Sequence, residues 1–411
     1  MATTVTVPNG VTGFSIKLDN GDYAIQGGSD DVNAVIAAGN GDDTYVAGNN
    51  NINTTVTLGN GTDTFVGGSG NTNSHITLGN GNDTFQGGSN NTGTHATLGN
   101  GDDTFIGGTH NTGAVDVLGN GNDTFFGGSF DTDATVILGN GNDTFFGGSN
   151  NIGSHITFGN GDDIFTAGAF NTDTSVTFGN GDIMFTGGDH GTNNKITFGN
   201  GDVTFVSGHF STGSVLTFGN GDVTMSGGSN NSDTTVIAGN GDDTLSAAPS
   251  DDITKGYGVT AGNGDDTVTT GANNNVTLGN GDDTVKAGAN NVISLGNGDN
   301  TVTAGDHSSI TVGNGDNMIT TGANSTITAG HGDDTFVFKA DPGIGTETIN
   351  NFSAQHDVIG IDHTLVADIA VLLGDAHQVG SDTVITIDGH GSIDLTGVAV
   401  TSLHASDFIL V

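Results

Sequence analysis

The chain repeats itself at a fixed period. Asn stands at position 20 and at every twentieth position through Asn240, and the beat returns at 263, 280, 297 and 314, with His331 closing the series. The stretch LGNGDDTF, from Leu98 to Phe105, recurs around these positions with few changes. A repeat of this length indicates a solenoid, in which each unit buries its apolar face only by stacking on the next.

The composition supports ordered turns. Gly accounts for 74 of 411 residues, Pro for only 3, and Cys is absent. High Gly with low Pro and a strict period is typical neither of collagen nor of a flexible linker, and it suits turns that need positive φ angles. Without cysteine there is no disulfide framework, so stability must come from elsewhere.

The charge narrows the choice of partners. Five Lys and Arg residues face 46 acids, giving a formal net charge of −41. Such a chain repels phosphate backbones and anionic lipids, so we expect neither nucleic-acid binding nor membrane insertion, and bound cations would relieve the self-repulsion. The beginning, MATTVTVPNG, lacks the features of a signal peptide, and no apolar run is long enough to span a membrane.

Period-2 alternation predicts two short strands per coil, around Phe65 and Ile76, with Thr64 and Val66 pointing outward. Stacking would align the inward residues in three ladders, which we expect to be core. The first ladder is Phe65, Phe85, Phe105, Phe125, Phe145, Phe165, Phe185 and Phe205. The second is Leu58, Leu78, Leu98, Leu118 and Leu138, followed by Phe158, Phe178, Phe198 and Phe218. The third is Val56, Ile76, Ala96, Val136, Ile156, Val176, Ile196 and Leu216, and Asp116 interrupts it without an explanation in the sequence.

The fold class predicted is all-β: a parallel β-roll or β-solenoid of about 17 coils, with a period of 20 and then 17 residues, and a small β-rich domain at the C-terminus. We expect a cap or assembly segment over 1–30 and 20-residue coils over 31–250. A loop insertion over 246–262, which contains Pro249, Lys255 and Tyr257, would precede 17-residue coils over 251–334. Residues 335–411 would form the last domain, with a hairpin turn at Asp388–Gly391 and a short helix within 364–374.

The repeated turn has the chemistry of a cation site. Its two glycines expose backbone carbonyls, and an Asp follows two residues after the second glycine. Calcium prefers six to eight oxygen ligands, mixing carboxylates with carbonyls, and one turn cannot supply them all. Two turns stacked about 4.8 Å apart can, so an ion between neighbouring coils would join them. The alternative is that Asp is present only because it favours turns.

The pattern xGNGDDTFx resembles the haemolysin-type, or RTX, calcium-binding nonapeptide GGxGxDxUx. The resemblance implies a parallel β-roll with Ca²⁺ in the turns, and it assigns the metal position to eleven residues, here called the aspartate row. These are Asp43, Asp63, Asp83, Asp103, Asp123, Asp143, Asp163, Asp243, Asp266, Asp283 and Asp334. The second turn of each coil has Thr72, Thr92 and Thr112 where the motif would place its Asp, so we expect one row of ions along one edge only.

Five coils depart from the motif. Ile183, Val203 and Val223 replace the metal Asp in three of them, and Asn300 and Asn317 replace it in two more. The preceding acids Asp182, Asp202 and Asp222 occupy a variable position of the motif and should face solvent. We therefore predict weak or missing ion sites at 180–225.

The periodic Asn of the motif, at 40, 60, 80 and onward, has two interpretations. Its side chains could stack as an amide ladder along the turns, or the residue could be selected because it tolerates left-handed backbone geometry. We favour left-handed geometry.

The end of the chain resembles the C-terminal segment of RTX proteins exported by type I secretion. The matching pieces are Asp334–Phe338, Ile349–Phe352, Asp357–Ile359, Gly380–Ile385 and Asp407–Val411. The resemblance implies transient contact with the type I secretion machinery, release outside a Gram-negative bacterium, and folding when extracellular calcium binds.

No enzyme is expected, since the repeats leave no room for a catalytic domain and the His residues are scattered. We predict a secreted calcium-binding structural protein. It would self-assemble head-to-tail into an extracellular filament, a biofilm matrix or a surface layer (S-layer). The alternative is an ice-binding or otherwise adhesive RTX solenoid, suggested by outward Thr rows such as Thr57, Thr77, Thr97, Thr157, Thr177, Thr197 and Thr217. A secretion and folding module left from a degraded toxin is a third interpretation.

Overall fold

The protein is a parallel β-solenoid of about 17 turns, as predicted. The computed structural model describes residues 1–246, 256–340 and 343–411, and the chain forms two compact units, Met1–Gly219 and Asn220–Val411. Of the expected loop insertion at 246–262, Pro249 and Lys255 lie outside the described residues. Tyr257 is buried.

Each coil of the first unit contributes one strand to each of two parallel sheets. The first sheet follows the GNG turns and contains Thr3–Thr6, Tyr23–Gln26, Thr44–Val46, Thr64–Val66, Thr84–Gln86, Thr104–Ile106, Thr124–Phe126, Thr144–Phe146, Ile164–Thr166, Ile183–Thr186 and Val203–Val206. The second sheet contains Ser15–Lys17, Val35–Ala37, Thr55–Thr57, His75–Thr77, His95–Thr97, Val115–Val117, Thr135–Ile137, His155–Thr157, Ser175–Thr177, Lys195–Thr197 and Val215–Thr217.

Each strand of this unit pairs in register with the strand 20 residues away, so equivalent side chains stack. The three predicted ladders are buried as expected. In the first ladder, Phe85, Phe105 and Phe125 stack with ring centroids 4.5 Å apart. Stacking at this distance stabilises the coil-to-coil contact beyond simple burial.

The second unit repeats this arrangement with shorter coils. Its first sheet contains Val223–Ser226, Thr244–Ser246, Thr267–Thr270, Thr284–Ala287, Thr301–Ala304, Met318–Thr321, Thr335–Phe338, Val358–Ile361 and Phe408–Leu410. Its second sheet contains Thr235–Ile237, Gly258–Thr260, Asn275–Thr277, Val292–Ser294, Ser309–Thr311, Thr326–Thr328, Gly345–Asn350, Gly391–Thr396, Asp382–Ile387 and Ala376–Val379. In its first sheet the register changes from a step of 20 to a step of 23 and then to steps of 17, as in the sequence, and a second step of 23 joins Thr335 to Val358.

The last part of the second unit contains the only antiparallel pairs among the described residues. Asp382–Ile387 pairs with Gly391–Thr396 across the predicted hairpin turn. One helix, Ile369–Gly374, lies within the stretch expected to be helical. Asp368 is its N-cap, and the Asp368 side chain accepts a hydrogen bond from the Val371 N–H.

Glycine at the GNG turns is required by the stacking itself. A Cβ added to Gly101 would lie 1.8 Å from the carbonyl oxygen of Gly81 in the preceding coil, and Gly101 has a φ of +152°. The turns are therefore stacked too closely to admit a side chain at this position. We call the edge formed by these turns the motif edge, and the edge formed by the other turns the opposite edge.

Candidate metal sites at the motif edge

The aspartate row lies inside the solenoid. All eleven side chains are at most 1% exposed. From Asp63 to Asp163, Oδ1 of each row Asp accepts a hydrogen bond from the backbone N–H of the preceding Asp in the row, as in the 2.9 Å bond from Asp103 N to Asp123 Oδ1. Oδ1 of Asp43 accepts from the Tyr23 N–H. Oδ2 is buried and has no hydrogen-bond partner in any of the eleven. A buried carboxylate oxygen without a donor is costly, and a row of them calls for a proton or a cation.

The pKa values of these carboxyls also indicate that each buried carboxylate needs a proton or a cation. Burial raises the pKa of Asp63, Asp103 and Asp123 to about 7, even though the backbone hydrogen bond to each one lowers it. Neighbouring carboxylates of the row raise it further. Without a cation, burial thus favours the protonated form of these three carboxyls up to about pH 7.

The predicted departures occupy the same inward position. Ile183, Val203 and Val223 are buried at 2–3% exposure, and the Val223 N–H donates to Asp243 Oδ1 as an Asp in the row would. Asp182, Asp202 and Asp222 are exposed, as predicted. In these three coils an apolar side chain replaces the carboxylate, so the oxygen ligand is missing.

Asn300 and Asn317 fill the position with an amide. Asn300 Oδ1 accepts from the Asp283 N–H, as a row carboxylate would. Its Nδ2 donates to the Gly298 carbonyl at 3.0 Å and to Asn317 Oδ1 at 2.9 Å. Asn317 Nδ2 donates likewise to the Gly315 carbonyl at 3.0 Å and to Asp334 Oδ1 at 2.8 Å. The second polar atom of each of these side chains therefore faces acceptor oxygens.

The exposed Asn of the GNG turns corrects our preferred interpretation. Asn60 Nδ2 donates to Asn40 Oδ1 at 3.0 Å, Asn80 does the same to Asn60 at 2.9 Å, and this amide ladder recurs in coil after coil. None of these Asn residues has a positive φ; the left-handed geometry belongs to other turn residues. Tolerance of left-handed backbone angles was therefore the wrong explanation for the periodic Asn. A fixed spacing can reflect stacked side chains as well as a required backbone angle, and the sequence does not distinguish the two.

The opposite edge also has an inward polar row, one residue away from the predicted position. We call it the inner asparagine row: Asn51, Asn71, Asn91, Asn111, Asn151 and Asn171. Asn71 Oδ1 accepts from the Asn51 N–H, while Thr72 forms an isolated bridge to Thr92. Thr72, Thr92 and Thr112 therefore do not stand at the Asp-equivalent position, because only two residues separate Gly68 from the inward side chain, against three after Gly59 at the motif edge.

Two further inward acids, Asp357 at the motif edge and Glu347 at the opposite edge of the second unit, were not predicted from the sequence. Asp357 is buried, accepts from the Asp334 N–H at 3.1 Å, and its pKa is raised to about 6 by burial. Glu347 is buried on the opposite edge, accepts from the Ser325 N–H, and leaves Oε1 without a partner. The 23-residue step from Asp334 to Asp357 was the available signal, but no GNG turn precedes Asp357.

Within the described ranges, no three His, Cys, Asp or Glu side chains converge on one point. In the same part of the chain, no helix is long and apolar enough to cross a membrane.

No family model and no curated protein matches the chain. Among solved structures it is similar to the extracellular lipase LipA from Serratia marcescens, with 14% identity and a TM-score of 0.18. The similarity covers 62% of this chain and 40% of the lipase chain, so the chain spans less than half the length of that protein. This degree of likeness carries no argument about function, which rests on the site itself.

Proposed function

We propose that the protein is a secreted, RTX-like calcium-binding structural protein without enzymatic activity, which assembles head-to-tail outside the cell. The observation that carries the calcium part is the row of eleven buried Oδ2 atoms without hydrogen-bond partners. Ca²⁺ would neutralise these carboxylates and join the turns of adjacent coils. Ligands would come from the row carboxylates and from carbonyls of the GNG turns, such as those of Gly99 and Gly101.

Unpaired strand edges support assembly. Thr3–Thr6 pairs only with Tyr23–Gln26 among the described residues, and Phe408–Leu410 pairs only with Val358–Ile361. Each is the outermost strand of the first sheet in its unit. A parallel strand of a second copy fits such an edge, and a contact between unlike ends propagates as a filament or sheet.

The charge explains why assembly would need calcium. A net charge of −41 opposes contact between copies, and ions bound along the motif edge would reduce that repulsion. Export through the type I machinery fits the same chemistry, because a calcium-poor cell interior would leave the chain unfolded enough to pass.

Sedimentation and negative-stain electron microscopy with calcium or with a chelator test this proposal. We expect sedimentable filaments or sheets in calcium and slowly sedimenting chains in chelator. Monodisperse single molecules in calcium would contradict assembly, and sedimentation that ignores calcium would contradict the role of the ion.

An ice-binding or adhesive surface is the second candidate. Thr57, Thr77 and Thr97 stack in register on the outside of the second sheet, and Thr157, Thr177, Thr197 and Thr217 do so further along. Val117 and Ile137 interrupt this column, which weakens its match to an ordered water layer. Thermal hysteresis in calcium would favour this candidate, and its absence would leave the structural role.

A further inference from the structure

The aspartate row and the inner asparagine row bond the backbone in the same way but differ in the second polar atom of the side chain. In both, Oδ1 accepts the N–H of the preceding coil, as in Asp103 to Asp123 and Asn71 to Asn91. The second polar atom differs: Oδ2 of the aspartate row has no donor nearby, whereas Nδ2 of Asn is itself a donor.

On the opposite edge, that donor reaches glycine carbonyls. Asn171 Nδ2 donates to Gly168 at 3.0 Å within its own coil and to Gly148 at 3.1 Å in the preceding coil. Asn291 in the second unit bridges Gly288 at 2.7 Å and Gly271 at 3.1 Å. One neutral amide thus connects two stacked turns, with no external ligand.

Asn300 and Asn317 form the same kind of amide bridge at the motif edge. Each Nδ2 bridges a turn carbonyl and the Oδ1 of the next coil, the oxygens among which a cation beside Asp would bind. The turn backbone is shared, since Gly298 has a φ of +143° and Gly101 a φ of +152°. Only the side chain changes: Asp has an Oδ2 that needs a cation or a proton, whereas Asn has an Nδ2 that donates hydrogen bonds itself.

We propose that Asn300 and Asn317 are built-in substitutes for the cation, so that the coils around 296–321 close their motif edge without calcium. The inference rests on the proposed calcium function for its contrast with the aspartate row. The choice between Asp and Asn then determines, coil by coil, where the solenoid depends on calcium. On the opposite edge of the first unit, the inner asparagine row supplies the same kind of amide, though not in the coils where Asp31 and Asp131 occupy its position.

The test uses the full chain and reciprocal substitutions. In Asn300→Asp/Asn317→Asp, we expect calorimetry to detect additional bound calcium, and amide hydrogen exchange in chelator to become about tenfold faster for residues 296–321. In Asp103→Asn, we expect bound calcium to fall and exchange in chelator to become about tenfold slower around residues 99–106. Asp102→Asn makes the same change as Asp103→Asn at an exposed neighbour, and Asp299→Asn alters the exposed neighbour of Asn300; neither should change either readout.

The outcomes separate the two proposals. If Asn300→Asp/Asn317→Asp leaves calcium uptake and exchange in chelator as in the unaltered chain, the amides do not substitute for a cation. If the unaltered chain binds no calcium, the proposed function fails, yet Asp103→Asn still decides the inference. Slower exchange in chelator would support the amide as an internal clamp, and unchanged exchange would overturn it.

Discussion

At the scale of single residues, Asp116 is the most anomalous side chain. It interrupts the third apolar ladder between Ala96 and Val136, and burial raises its pKa well above the ordinary value. The nearby Asp131 raises the pKa further. The sequence already showed that Asp116 breaks the ladder, and the structure shows that its carboxyl is buried among apolar side chains.

Replacing this carboxyl should stabilise the fold. We expect Asp116→Val to raise the free energy of unfolding by about 1–3 kcal/mol, because it removes a desolvated polar group and restores the ladder. Urea unfolding in calcium measures the change. Asp162→Asn, an exposed change to the residue present at 82, 122 and 142, is the control; a destabilised Asp116→Val would show that the carboxyl has a partner.

The turn glycines allow a second prediction at this scale. Gly101→Ala would place its Cβ 1.8 Å from the Gly81 carbonyl oxygen, so we expect a loss of about 4 kcal/mol or more. Gly113 has a φ of +61° but nothing within 4 Å of an added Cβ, so Gly113→Ala should cost only about 1 kcal/mol. Similar losses in the two variants would refute the argument that close stacking fixes glycine in the motif.

At the scale of elements, the core was predictable and the polar rows only in part. Period-2 alternation placed Phe105 and its stacked equivalents correctly, because burial of one strand face leaves a direct mark on the sequence. The inner asparagine row was missed because the motif does not reveal the length of the turn. The turn is one residue shorter at the opposite edge, so Asn71 and not Thr72 points inward. Asp357 was missed because its turn lacks the glycines.

Protons and calcium should compete for the aspartate row. Burial raises the pKa of Asp63, Asp103 and Asp243 from 3.8 to about 7 in the calcium-free fold. A carboxyl whose pKa is higher in the folded state contributes stability that is complete below about pH 4 and is lost as the pH rises through about 7. We therefore expect the melting temperature in chelator to fall between pH 4 and pH 8.

A matched pair of triple variants isolates the row. Asp63→Asn/Asp103→Asn/Asp123→Asn should flatten this pH dependence, because amides do not titrate. Asp42→Asn/Asp102→Asn/Asp162→Asn removes the same charge from exposed sites and should leave most of it. Equal flattening would assign the pH dependence to overall charge instead of the buried row.

At the scale of the whole molecule, assembly should depend on the outer strand edges. The N–H groups of Thr3 and Val7 donate to the neighbouring strand, so alternation directs that of Thr4 outward. The N–H of Lys17 points outward in the same way, since Leu18 donates inward. Proline at these two positions removes outward donors while sparing the internal bonds.

We expect Thr4→Pro/Lys17→Pro to reduce the sedimentable fraction in calcium without lowering the melting temperature of single molecules. Thr4→Ala/Lys17→Ala removes the same side chains and keeps both donors, so it should assemble normally. Full assembly of the proline variant would show that these edges do not carry the contact.

Calcium binding by the aspartate row can be tested with crystals grown in calcium, in which anomalous scattering locates the ions. We expect ions along the motif edge between Asp43 and Asp163 and none at Ile183, Val203, Val223, Asn300 or Asn317. An empty aspartate row in millimolar calcium, or ions at those five substituted positions, would contradict this expectation.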